Sequence, residues 1–290
     1  MTDYLFYPGC ALEASSTHYA KSARSVCQRL GIGLVDLDDW SCCGATAYVG
    51  TDEDKSVAYS TRNLALAERT GATQLVTACS GCYVQLRKAN RCFNGGPQVR
   101  DRVSRALAAA GLSYGGTVRV RHLADVLLND VGPDAIARSV EVSLRGLRVA
   151  PYHGCQISRP FDDIAHAEQP TILNELLAPT EAELVPFPLT ARCCGGMLMT
   201  TRVDVALPMA GRLLASARSA GADCVAVACP LCSVNLEAYQ DRILREDGRG
   251  EPMPVVLFTQ LLGLAVGAPM ESLGLDQCLV DVHPMLGAYV

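Results

Sequence analysis

Positive charge is in short supply in this chain. Lysine and arginine number 25 against 30 aspartates and glutamates, a formal net charge of −5. Nucleic-acid phosphates call for a basic surface, so nucleic acid is excluded as a partner. Long apolar runs are missing too. The most apolar stretch, residues 261–268, is too short to span a bilayer and holds two glycines. The start, Met1-Thr2-Asp3-Tyr4, has no basic region and no small-residue cleavage site, which points away from a signal peptide. Two electron-handling signatures are also absent, the C-x-x-C-x-x-C ferredoxin run and the G-x-G-x-x-G dinucleotide fingerprint. A redox role would therefore draw its electrons from a partner.

Cysteine is plentiful, with fourteen in 290 residues. Secreted disulfide scaffolds are short chains without a core, whereas this chain is 49% hydrophobic and long enough for two domains. Adjacent pairs such as Cys42-Cys43 also make strained disulfides. Metal-bound thiolates in a reduced, cytoplasmic setting are the expectation.

Ten of the cysteines fall into one pattern used twice. The first copy is Cys10, then Cys42-Cys43-Gly44, then Cys79-Ser80-Gly81-Cys82. The second is Cys155, then Cys193-Cys194-Gly195, then Cys229-Pro230-Leu231-Cys232. Thiolates are soft ligands that select zinc or iron–sulfur centres. Five per copy is one more than a zinc ion or an ordinary four-iron cluster takes.

The repeat extends beyond the cysteines. Residues 71–86 align with residues 221–236, with seven of sixteen positions identical at an offset of 150. A boundary near residues 133–146 is expected, giving domains 1–145 and 146–290. Apolar runs at 4–7, 34–37, 75–78 and 118–120 read as strands, as do those at 147–152, 184–187, 225–228 and 254–258. Ala20, Ala23, Cys27 and Leu30 form one helical stripe; Ala206, Ala210, Leu213, Leu214 and Ala217 form another. This alternation predicts an α/β fold of two pseudo-symmetric domains, each a small, mainly parallel sheet flanked by helices. Every motif cysteine then falls at the carboxyl end of a strand, where such sheets bind ligands. Helices are expected to begin after Cys82 and Cys232, offering N–H groups to an anionic cluster. Gly9, Gly44, Gly81, Gly154, Gly195 and Gly196 allow tight turns beside the sulfurs.

One cysteine, a Cys-Cys-Gly and a C-x-x-C in this order resemble the cysteine-rich CCG domain. Two in tandem are similar to the B-type subunits of heterodisulfide reductase. The resemblance implies two non-cubane four-iron, four-sulfur clusters. Cys10, Cys42, Cys43, Cys79 and Cys82 would hold one; Cys155, Cys193, Cys194, Cys229 and Cys232 would hold the other. It also implies two-electron disulfide/thiol interconversion on a small or protein-bound substrate. The implied partners are a ferredoxin-type iron–sulfur subunit, of the C type, with a flavin subunit, of the A type. Related complexes act on lipoate-bound sulfur. CCG domains also occur in electron-transfer subunits of flavin-dependent lactate, glycolate and succinate oxidoreductases, which is the alternative function. Structural zinc on four of the five thiolates is the competing metal.

Outside the pattern, His153 is a candidate proton donor to a departing thiolate, and Tyr7 and Tyr152, at or near the corresponding strand ends of the two halves, are further candidate donors. The competing reading of His153 is a histidine with its hydrogen bonds satisfied. Arg87, Lys88, Arg159, Arg192 and Arg202 flank the cysteine sets as candidate anion grips or as solvated charge. Met197 and Met199 are candidates for a channel wall or for core filling. Cys27, Cys92, Cys224 and Cys278 read as packing residues. His18, His122, His166 and His283 show no partner pattern. The apolar tail 272–290 is expected to pack on the body or on a partner.

Overall fold

The computed structural model describes residues 2–45, 49–247 and 251–289. Two four-stranded sheets form. In the first, β1 (Thr2–Phe6), β2 (Ile32–Asp36), β3 (Gln74–Thr77) and β4 (Arg119–His122) lie in the order β2-β1-β3-β4. In the second, β5 (Arg148–Tyr152), β6 (Glu183–Leu184), β7 (Cys224–Val227) and β8 (Val255–Leu257) lie in the order β6-β5-β7-β8. Every strand pair is parallel, with helices as crossovers. Residues 224–227 and 255–257 are buried throughout, the continuous apolar run of a strand covered on both faces. The α/β architecture with two similar sheets agrees with the sequence pattern.

Two local expectations need correction. The second strand of the second half does not run over 184–187. It stops at Leu184, and Val185 N–H adds a last bond of 2.8 Å to the Val149 carbonyl. Pro186 and Pro188 then carry no N–H to continue the ladder. The helices after β3 and β7 begin before Cys82 and Cys232, not after them. They span Ser80–Gly95 and Pro230–Glu237, with Cys79 and Cys229 as N-cap residues.

The two halves interlock by exchange of equivalent helices. Helix Phe258–Ala265, after β8, packs on helix Thr17–Arg29, after β1. The Ser22 and Thr259 hydroxyls meet there at 2.7 Å. The reciprocal contact sets Leu123–Val126, after β4, against Ile172–Leu177, after β5. This packing turns the carboxyl ends of β3 and β7 toward each other.

The tail packs on the body, burying Leu273, Leu275, Val282 and Leu286. Glu237 pins it by accepting from the N–H groups of Leu279 and Val280 at 2.8 and 3.0 Å. Burial pushes the Glu237 carboxyl up to about 7. A raised acid pKa gives stability that is full below the unfolded value of 4.5 and is lost as pH rises through about 7. Glu237→Gln keeps an acceptor oxygen without the charge. Thermal melts should show the variant stabilised at pH 8 by up to about 3 kcal/mol, with no gain at pH 4. An equal gain at both pH values would contradict the charge-burial explanation.

Candidate functional site

Both cysteine sets lie beyond the carboxyl ends of the strands. Cys10 sits in the short helix Gly9–Glu13 after β1, and Cys155 follows β5. The Cys-Cys-Gly triplets follow β2 and β6. Cys79 and Cys229 cap their helices in extended conformation. Helical spacing then returns Cys82 and Cys232 to the same side, one turn further on.

Five thiols in each half form a continuous set. Cys10 hydrogen-bonds Cys42, Cys42 meets Cys43, and Cys43 Sγ lies 3.4 Å from Cys82 Sγ, beside Cys79. The second half repeats this with Cys155, Cys193 and Cys194, whose Sγ is 3.4 Å from Cys232 Sγ, beside Cys229. Cys79 and Cys229 hydrogen-bond each other, so the two sets touch at a buried member of each. At the other end Cys10 is exposed, and Cys42, Cys155 and Cys193 are half-buried.

Electrostatics pick out the first cysteine of each Cys-Cys-Gly. Hydrogen bonds from Cys10 and Cys43 hold the Cys42 thiol down to about 2, and Gly44 N–H donates to its Sγ at 3.4 Å. Cys155 and Cys194 hold Cys193 down to about 3. Thiolates so stabilised are ready ligands. Cys43 is pushed up to about 11 and Cys194 to about 12, each first by its bond to the preceding thiolate.

The surroundings fit a large anionic group. Gly9 and Gly154 both adopt left-handed backbone, with φ of +71° and +69°. A Cβ there would lie 3.0 Å from Cys82 Sγ and 3.3 Å from Cys232 Sγ. Helix N-termini present their N–H groups to Cys79 and Cys229. Five thiols in each set exceed what one tetrahedral ion takes. Among the described residues no three His, Cys, Asp or Glu side chains are arranged around a single metal ion.

The other candidates have structural partners. His153 is buried, with Nδ1 at 2.8 Å from Thr190 Oγ1 and Nε2 accepting from Leu173 N–H at 3.1 Å. Burial holds it down to about 3, so the ring is neutral with both nitrogens engaged. The Tyr7 and Tyr152 hydroxyls donate to the carbonyls of Ser41 and Arg192, at 2.8 and 2.6 Å. Each thereby braces the residue just before a Cys-Cys-Gly. Arg87 pairs with Asp163, Lys88 with Glu53, Arg159 with Glu168 and Arg202 with Asp204. Arg192 is exposed and pairs with no carboxylate among the described residues. Met199, Cys27 and Cys224 are core; Met197, Cys92 and Cys278 are half-buried.

Three central residues escaped the sequence pattern. His122 is fully buried where the halves meet. Its Nδ1 accepts from Ala124 N–H at 3.1 Å, which places the proton on Nε2, 3.3 Å from Ser80 Oγ. Ser80 and Tyr19 both donate to the Ala228 carbonyl, at 3.3 and 3.1 Å. That carbonyl immediately precedes Cys229. In the second half Pro230 stands in place of Ser80, and Leu257, the partner of Val227, in place of His122. Only a position-by-position comparison of the repeats would have picked out this difference.

Residues 4–87 and 149–237 match the family described as "Cysteine-rich domain", CCG. Over 96% of its length the chain is 30% identical to the B-type subunit of the ferredoxin/F420H2-dependent CoB-CoM heterodisulfide reductase of Methanosarcina acetivorans, covering 93% of that protein. The chain belongs to the family of heterodisulfide reductase B-type subunits. That family consists of iron–sulfur, electron-transferring subunits of oxidoreductases. The 8-methylmenaquinol:fumarate reductase membrane anchor subunit of Wolinella succinogenes is 32% identical, over 96% of this chain and 97% of that one. Among the described residues no helix is long and apolar enough to cross a membrane. A Helicobacter pylori protein of known structure shares the fold, with a TM-score of 0.79 at 16% identity. The match covers 97% of this chain and 52% of that one, so this chain spans about half its length.

Proposed function

We propose that the chain is the component of a heterodisulfide reductase-like complex that interconverts a disulfide and two thiols. In this reading each half, 1–145 and 146–290, binds one non-cubane four-iron, four-sulfur cluster through its five cysteines. The observation that carries it is the meeting of two complete five-thiol sets at Cys79 and Cys229. When bound, such clusters supply one-electron transfer and an iron site for a substrate sulfur. The overall reaction takes R–S–S–R′, two electrons and two protons to R–SH and R′–SH.

The chain's own residues divide the work. Cys10, Cys42, Cys155 and Cys193 reach solvent, so a substrate sulfur approaches on that side. Cys79 and Cys229 join the sets away from water. Tyr7 and Tyr152 position the Cys-Cys-Gly segments. His153 holds the Thr190 loop against helix Ile172–Leu177 and, with both nitrogens engaged, is assigned a positioning part. Arg192 is the side chain best placed to meet an anionic group on the substrate. Electrons come from a ferredoxin-type iron–sulfur protein in the complex and, beyond it, a flavin-bearing one.

One finding favours a second reading. The 32% identical relative is named for menaquinol and fumarate, not for a disulfide. There this chain would relay electrons without binding substrate sulfur. Adding a thiol to the oxidised, iron-loaded protein separates the two. Disulfide chemistry predicts a new paramagnetic signal on thiol addition; an unchanged spectrum with both clusters present would leave relay as the function.

A further inference from the structure

We propose that Asn235 sets the second cysteine site at a higher reduction potential than the first. The inference rests on the two-cluster reading above and concerns a residue outside the ligand set. Asn235 is 2% exposed and lies in the first turns of helix Pro230–Glu237. Its Nδ2 donates to the Gly196 carbonyl at 2.9 Å, which fixes the amide, and to Cys194 Sγ at 3.6 Å.

Among the described residues, no side-chain amide of the first half donates to a cysteine sulfur. Gln85 occupies the matching position, 150 residues earlier, and is also buried. Its Nε2 donates to Ser56 Oγ at 2.5 Å instead. Ser56 lies in helix Glu53–Arg69, and the matching helix Val203–Ser219 carries Ala206 in its place. Alanine has no side-chain acceptor, so the Asn235 amide is not engaged there and donates to Gly196 and Cys194 instead.

Reduction adds negative charge to an iron–sulfur centre and its thiolates. Donors aimed at a ligand sulfur stabilise that charge more in the reduced form, so they raise the potential. A buried site magnifies the effect, because water does not screen it. The second site thus accepts the first of two electrons. The difference gives an otherwise symmetric pair of sites a direction.

The test is a dithionite titration of anaerobic, iron-loaded protein followed by electron paramagnetic resonance. Two separated midpoints are expected. In Asn235→Leu the higher midpoint should move to more negative potential while the lower stays. Gln85→Met should move neither. A single shared midpoint in the native protein, or an Asn235→Leu shift confined to the lower one, would overturn the proposal. If Asn235→Leu fails to hold iron, native protein carrying nitrogen-15 in its asparagine amides decides. After addition of one electron, its pulsed spectrum should show coupling to a labelled amide; a spectrum without coupling overturns the proposal. Iron-free native protein would instead overturn the functional reading and take this inference with it.

Discussion

Gly9→Ala is expected to strip the iron from the first half and leave the second half loaded. The φ of +71° is costly for any residue with a Cβ, by about 1–2 kcal/mol. The added carbon would lie 3.0 Å from Cys82 Sγ and 3.2 Å from the Tyr7 ring. Either Cys82 leaves its place or Tyr7 does, and Tyr7 holds the carbonyl of Ser41 just ahead of Cys42. Iron in the purified protein should fall by about half, from roughly eight to roughly four per chain for two four-iron clusters. Gly154→Ala should do the same to the other half, since its Cβ would meet Cys232 Sγ at 3.3 Å. Gly71→Ala is the control. Its φ of +82° is as unfavourable, yet nothing lies within 4 Å of the added carbon. Full iron in Gly71→Ala beside half iron in Gly9→Ala separates crowding of the sulfurs from backbone strain. Equal iron loss in both would reject that explanation.

Stability should fall steeply as pH drops below 6.5, driven by two buried histidines. Burial holds His122 down to about 4 and His153 down to about 3, against an ordinary 6.5. A lowered pKa gives stability that is full above 6.5. It is lost as the unfolded chain takes up protons that the folded chain refuses, down to the folded values. Each ring contributes about 2 kcal/mol of lost stability by pH 5. Together that is about 4 kcal/mol, a large share of what a domain of this kind has. His122→Leu copies the residue found at the matching position, Leu257. The variant leaves the Ala124 N–H without its acceptor, so its absolute stability will drop. The informative quantity is the slope. Chemical denaturation at pH 7.5, 6 and 5 should show a shallower pH dependence for His122→Leu than for the native chain. Parallel slopes would mean that His122 is not the group responsible.

The strands were legible because buried parallel strands read as unbroken apolar runs. Those of 75–78 and 225–228 reappear as β3 and β7 within one residue. Placing cysteines at strand ends was legible for the same reason. The helix starts are not legible in the pattern, because Cys79 and Cys229 both close a strand and serve as N-caps of the helix that follows. The early stop of β6 was written in Pro186 and Pro188. Contact between Cys79 and Cys229 was not legible. It depends on helix Phe258–Ala265 of one half packing against helix Thr17–Arg29 of the other, a pairing that no local pattern encodes. The fate of His153 was hidden similarly, since one of its partners is a backbone N–H twenty residues on. His122 looked ordinary in sequence and lies at the centre of the molecule. Asn235 stands out only against Gln85, its counterpart 150 residues earlier.

Iron and free thiol, measured together on one anaerobic sample of the native chain, test the central claim most directly. With ten of fourteen cysteines engaged, roughly eight irons per chain are predicted for two four-iron clusters. Alkylating reagent should then reach only Cys27, Cys92, Cys224 and Cys278, and slowly, because these four are partly or wholly buried. Four irons or fewer, with the thiols of either set open to alkylation, would contradict a pair of clusters held in contact through Cys79 and Cys229.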